Sequence, residues 1–215
     1  LIQNIHLSGD DRLSHYFLWN HEHSLFPLYT KEIRSHLQSG SAHKRLTKSL
    51  SRIPNETTAL NRMLYLEMKH FLADHNLNYT DKMGMQHNIE IRVPFLDIDL
   101  VNFCSQLPPH LKQKGKTGKY LLREIAKQYL PSSILTRSKS GFGAPLRKWM
   151  ATKPFQDMIH NYLSKDSINR RGLFDSNNVR NLITATLDHK TDGSYCIFSL
   201  MCIEIWCRRF VDSKY

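Results

Sequence analysis

Three short stretches of the chain bring charge, hydroxyl and glycine close enough together to do chemistry. Asn88-Ile-Glu-Ile-Arg-Val-Pro-Phe-Leu-Asp97 carries a carboxylate at Glu90 and a guanidinium at Arg92. Two residues apart on an extended segment, these side chains leave on the same side. They either form a buried ion pair that fixes the loop or line a site. Arg137-Ser-Lys-Ser-Gly-Phe-Gly-Ala-Pro145 sets two cations, Arg137 and Lys139, beside two glycines. Glycine lets the backbone turn tightly around a ligand, and a lysine ammonium is a compact charge suited to phosphate oxygens. The competing reading is a basic loop ahead of a helix. The remaining stretch, His6-Leu-Ser-Gly-Asp10, follows the apolar Ile2, Ile5 and Leu7. A strand running into a small-residue turn is the layout of nucleotide sites in open α/β sheets, where backbone N–H groups approach phosphate or ribose. On composition alone, Ser8-Gly9-Asp10 reads as a plain turn.

Other suggestive clusters fail on spacing. Lys112-Gln-Lys-Gly-Lys-Thr-Gly-Lys119 is basic and glycine-containing, but Gly115 and Gly118 are too close for a phosphate-binding P-loop and Tyr120 follows Lys119. His70, Asp74 and His75 lack a fixed third ligand, so no metal site is expected. Cys104, Cys196, Cys202 and Cys207 fit no zinc pattern. Cys104 and Cys202 fall on apolar helix faces, so buried free thiols in a reducing cytoplasm are expected.

The elements that position these groups are mostly helices. Ile and Val alternate with charge from Ile89 to Val93, which reads as extended chain, and Pro94 holds Val93 out of the helical region. Asp97 should cap a helix carrying Leu100, Val101, Cys104 and Leu107 on one face. From Asp11 to Asn76 the pattern is helical, with breaks at Pro27, Gly40-Ser41 and Pro54. Thr57-Thr58 caps a longer helix with Leu60, Met63, Leu64, Met68 and Phe71 inward. Thr117 is expected to cap the next helix, with Lys119 opposing its dipole. Helices follow near Leu146, over Phe155 to Leu163 and over Asn177 to Leu187. Asp192-Gly193-Ser194 opens a final one with Phe198, Met201, Cys202, Ile205 and Trp206 on the core stripe.

Composition bounds the class. The 215 residues are 40% hydrophobic and 23% charged, ordinary for a globular protein with a core. No run approaches the ~18 apolar residues of a membrane span, and no signal peptide is visible. The chain lacks an initiator Met and reads as a fragment. Net charge is +11 with 12 histidines besides. The basic residues are scattered and no nucleic-acid-binding signature appears, so a general basic surface is the better reading.

The order of motifs goes further. Asp81-Lys-Met-Gly-Met-Gln-His-Asn-Ile-Glu-Ile-Arg-Val-Pro-Phe-Leu-Asp97 resembles the D-R-x-S-M-x-H-x-x-E-x-R-x-P-F-L-D signature of the glutamine-hydrolysing asparagine synthetase family. The resemblance continues through Leu107-Pro-Pro, Lys119-Tyr-Leu-Leu-Arg-Glu124, Leu130-Pro131 and Arg137-Ser-Lys-Ser-Gly-Phe-Gly-Ala-Pro-Leu146. His6-Leu-Ser-Gly-Asp10 resembles the first half of the family's L-S-G-[DE]-G-x-D-E loop, whose second half is missing. Lys82 stands for the usual Arg, Gly84 for the usual Ser, and His75 for a carboxylate.

The resemblance implies an α/β fold, predominantly helical here: residues 1–215 as one partial domain, the C-terminal part of an ATP-pyrophosphatase (adenine nucleotide α-hydrolase-like) synthetase domain. The N-terminal glutaminase domain and the S-G-G-x-D-S pyrophosphate loop would be absent. The implied reaction uses ATP and Mg²⁺ to adenylate the side-chain carboxylate of aspartate, and glutamine-derived ammonia then displaces AMP. By matched motif, Ser8 and Gly9 would contact ATP, and Asp10 would serve formation and use of the adenylate. Lys139 would meet pyrophosphate, and Asp81, Glu90 and Arg92 would shape the substrate side. The implied protein is cytoplasmic and dimerisation is open. With half the nucleotide site missing, the chain alone is expected not to turn over. Three alternatives stay open: another amide ligase on the same fold, of the β-lactam synthetase or lasso-peptide cyclase type; a basic nucleic-acid-binding module; and an inactive remnant.

Overall fold

A computed structural model describes residues 6–18, 20, 22–37, 41–138 and 144–212. Described residues fall into two compact units. One is drawn from the chain before residue 19 and from 42–140, the other from 19–41 and from the chain after 140.

In the first unit, helix Gly9–Tyr16 packs on helix Ala59–Leu66. Thr58 caps the latter, its hydroxyl accepting from the Asn61 N–H at 3.4 Å. The helical run continues, with wider π-type winding over Glu67–Leu77, into Asn78–Gln86. Leu50 and Leu66 are fully buried. Gly84 lets the chain fold back: the Ile89 N–H donates to the Gly84 carbonyl at 3.0 Å, and Ile91 lies over the space a side chain would fill. Residues 89–93 belong to no helix and pair with no strand. Pro94–Leu96 forms one tight turn, and Asp97 accepts from the Leu100 N–H at 3.0 Å to start helix Ile98–Gln106.

Several expectations are corrected in this unit. The stripe through Leu100 and Cys104 is not core: Cys104 is exposed, and Ile98 and Phe103 on the same helix are 75% and 60% exposed. Thr117 caps nothing. It pairs instead in a small hairpin, Gln113–Lys114 against Thr117–Gly118, turned by Gly115 at φ +57°. Lys119, at φ +54°, is the residue that enters helix Tyr120–Ala126. The strand expected from Ile2 falls largely on residues 1–5, outside the described ones, and Leu7 leads directly into a helix.

The second unit is a layer of helices on a continuous core. Leu146–Met150, Lys153–Tyr162, Lys165–Arg171, Ser176–Leu187 and Ser194–Phe210 bury Leu146, Met150, Ile159, Ile168, Val179, Ile197 and Met201. Helix Lys165–Arg171 is capped at one end by Ser164 and closed at the other by Gly172 at φ +72°, where a side chain would be strained. Asp175 accepts from the N–H groups of Asn177 and Asn178 to begin the next helix. Leu25 and Leu28 join this core, with Tyr29 bridged to Phe174.

The final helix is rotated relative to the expected stripe. Ile197, Leu200, Met201, Glu204 and Cys207 face inward, while Trp206 is 56% exposed and Cys202 is exposed. Glu204 lies on that inward face. Its carboxylate is buried and accepts from Ser167 at 3.0 Å, Arg171 at 2.9 Å and Arg208 at 2.8 Å. A carboxylate so supplied can occupy a core position.

Among the described residues no helix is long and apolar enough to cross a membrane.

Candidate functional site

Ser8 is extended, at φ −129° and ψ 166°, and its side chain makes no cap hydrogen bond. Gly9 follows at φ +52° with open space where a Cβ would sit, and the helix begins there. Asp10 and Asp11 occupy the first turn, where carboxylates suit the positive end of the helix dipole.

Arg62 meets Asp10 from the packed helix. Its Nε donates to Asp10 Oδ1 at 2.8 Å and its Nη2 to Oδ2 at 2.5 Å, a bidentate fork. Nη1 donates to the Pro54 carbonyl at 3.2 Å and Nη2 also to the Leu50 carbonyl at 3.5 Å. Arg62 is only 8% exposed. Hydrogen bonding of the guanidinium to the Asp10 carboxylate raises the Arg62 pKa above its ordinary value, outweighing the burial that would lower it. The Asp10 side chain is 37% exposed, so its outer edge faces solvent.

Beside this pair, His43 Nε2 lies 3.1 Å from Asp11 Oδ1, and His43 Nδ1 lies 3.4 Å from Ser14 Oγ. The order Asp, His, Ser resembles a nucleophile relay. Ser14 is fully buried and donates to the Asp11 carbonyl at 2.9 Å, so its oxygen cannot reach a substrate. The cluster joins helix Gly9–Tyr16 to helix Ser41–Leu50.

Of the other candidates, Glu90 and Arg92 do leave on one side, with Arg92 Nε 3.0 Å from Glu90 Oε1. The buried pair is not what forms: the side chains are 70% and 84% exposed. At such exposure the pair contributes about 0–1 kcal/mol. Asp81 is exposed on helix Asn78–Gln86. Among the described residues no hydrogen bond or ion pair joins Asp10 to Asp81, Glu90 or Arg92. Lys139 and the glycines of its loop lie outside the described residues. Their approach is described, however: Arg123 donates to the Gly118 carbonyl at 3.1 Å and to the Leu135 carbonyl, fastening the segment that leads to Arg137. Lys112, first of the basic loop, is anchored by Asn61 Oδ1 at 2.9 Å and the Ser105 carbonyl at 3.0 Å, and burial lowers its pKa.

Arg62 escaped the sequence reading because the apolar residues around it mark a different face as inward. The available signal was an arginine four residues before Leu66, with the acidic pair Asp10-Asp11 elsewhere in need of a cation.

Residues 6–208 match the family model described as asparagine synthase, and the chain belongs to that family. It is 27% identical over 185 residues to Asparagine synthetase [glutamine-hydrolyzing] 1 of Bacillus subtilis (strain 168), covering 86% of this chain and 29% of that protein. Over 151 residues it is 28% identical to a putative asparagine synthetase [glutamine-hydrolyzing] of Mycobacterium tuberculosis (strain ATCC 25618 / H37Rv), 70% of this chain and 23% of that one. It is also 32% identical over 125 residues to Amidase chyE of Penicillium rubens, 55% of this chain and 18% of the amidase. The chain therefore spans less than a third of the length of these relatives. No solved structure matches the chain.

Proposed function

We propose that this chain is part of a synthetase that makes asparagine from aspartate at the cost of ATP, within an ATP-pyrophosphatase-type α/β domain. The observation that carries the reading is the family match from residue 6 to residue 208. It takes in Ser8, Gly9, Asp10, Asp81, Glu90, Arg92 and Lys139 in one order.

ATP supplies an electrophilic phosphorus: the aspartate side-chain carboxylate attacks it, pyrophosphate leaves, and ammonia then displaces AMP from β-aspartyl-AMP. The residues at the helix start fit a nucleotide in part. Gly9 offers backbone with no side chain in the way, and Ser8 leaves the first-turn N–H groups uncapped by its hydroxyl. Asp10 and Asp11 make the same spot adverse to bare polyphosphate, so Ser8 and Gly9 would serve the sugar side. Asp10 would face the reacting carboxylate and amine, as a base for the proton the amine must lose. Lys139 would neutralise the departing pyrophosphate. Among the described residues no group of three His, Cys, Asp or Glu side chains is placed to hold a metal. Mg²⁺ would arrive on the nucleotide phosphates. Asp81, Glu90 and Arg92 would bound the aspartate side.

Ammonia would come from glutamine, in keeping with the glutamine-hydrolysing enzymes named above, through a glutaminase domain of a cytoplasmic parent protein whose oligomeric state is open. The similarity to a protein named an amidase supports a second reading, amide chemistry on another carboxylate or amine.

Aspartate labelled with ¹⁸O in its side-chain carboxylate tests the reading in the full-length protein. Label in AMP, together with labelled asparagine, supports it. Label in inorganic phosphate means phosphorylation in place of adenylation and overturns it.

A further inference from the structure

We propose that Arg62 is the positioning residue of the reaction, holding the Asp10 carboxylate at one fixed tilt toward the reacting atoms; this rests on the adenylation reading above. Arg62 is itself fixed before it touches Asp10. Its guanidinium donates to the carbonyls of Pro54 and Leu50, both main-chain groups, and is 8% exposed. A planar fork anchored on its far side can set the plane of a carboxylate, which a point charge cannot. Asp10 needs such an anchor, because it follows Gly9, whose positive φ and open surroundings restrain the chain weakly. The fork takes up one edge of the carboxylate and leaves the other open, with the Asp10 side chain 37% exposed. Each carboxylate oxygen accepts more than one hydrogen bond, so the outer lone pairs stay available to an amine.

A double-mutant cycle on the full-length protein tests this, read by ATP–pyrophosphate exchange with aspartate and by ¹⁵N NMR of the arginine Nε–H groups. Each rate is measured well below the melting temperature of its variant. Arg62→Ala is expected to lower the exchange rate constant about 100-fold, the scale of a misplaced catalytic group, with the KM for ATP little changed. Arg62→Lys should recover only a minor part, since it cannot form the fork. In the Asp10→Asn background, Arg62→Ala should cost little more, because residues acting as a unit are not additive. The Arg62 Nε–H should exchange slowly with solvent in the wild type and rapidly in Asp10→Ala. Losses that multiply in the double mutant would show Arg62 to be structural only and overturn the proposal. So would a full rate in Arg62→Ala. A wild type that exchanges with no carboxylate overturns the adenylation reading and the positioning role with it, whatever the NMR shows of the contact.

Discussion

Arg62 and Asp10, 52 positions apart in sequence, meet through two hydrogen bonds of 2.8 and 2.5 Å. The two partners are unequally placed: the arginine is buried and the aspartate is partly in water. Removing each should therefore cost differently. Asp10→Ala strands a buried guanidinium and should cost about 2–4 kcal/mol, toward the range for breaking a buried pair. Arg62→Met leaves a carboxylate that water can reach and should cost about 1–2 kcal/mol. Urea unfolding of both variants checks the order, and equal losses or the reverse order would contradict it.

Gly84 sits where the family signature places serine. A Cβ there would lie 2.8 Å from the Ile89 carbonyl oxygen and 2.9 Å from Ile91 Cδ1. The carbonyl belongs to the fold-back turn and cannot swing aside cheaply. Gly84→Ser should destabilise the protein by about 1–3 kcal/mol, the usual scale of overpacking. Gly118→Ala, where no atom lies within 4 Å, is the control and should be within about 0.5 kcal/mol of wild type.

Burial pushes the Glu204 carboxyl up, but hydrogen bonds from Arg171, Arg208 and Ser167 together hold it below its ordinary value of 4.5. A carboxyl with a lowered folded-state pKa stabilises fully above the unfolded value. That contribution should be lost as pH falls below 4.5 and through the lower folded pKa. Glu204→Gln should remove this acid dependence and cost about 2–4 kcal/mol at neutral pH, since Arg171 and Arg208 lose a buried anionic partner, although Arg171 keeps Asp212 at 2.7 Å. Thermal melts of both proteins from pH 7 to pH 3 test the sign: a wild type that gains stability on acidification would refute it.

Asp97→Ala removes the cap of helix Ile98–Gln106 and should cost about 1 kcal/mol. Asp97→Asn keeps an acceptor for the Leu100 N–H and should cost a few tenths. Chemical denaturation distinguishes them.

The local devices of this fold are legible in the chain. Asp97 and Thr58 stand where capping chemistry puts them, the final helix begins at Ser194 after Gly193, and Glu90 and Arg92 share a side. The inward faces were harder to see. Hydrophobic spacing picked Leu64, Met68 and Trp206, which stay 40%, 45% and 56% exposed. It passed over Arg62 and Glu204, which are buried because distant partners satisfy their charge. Periodicity treats every charge as a solvent marker and cannot see a partner 52 or 33 residues away. The left-handed Lys119 was hidden for a similar reason, since the hairpin before it dictates its backbone.

ATP–pyrophosphate exchange by the full-length protein, with L-aspartate and Mg²⁺, tests the central claim most directly, beside Asp10→Asn and Lys139→Ala. Exchange that requires aspartate and collapses in both variants is the predicted result. Exchange with another carboxylate but none with aspartate, or unchanged exchange in Asp10→Asn, would contradict it.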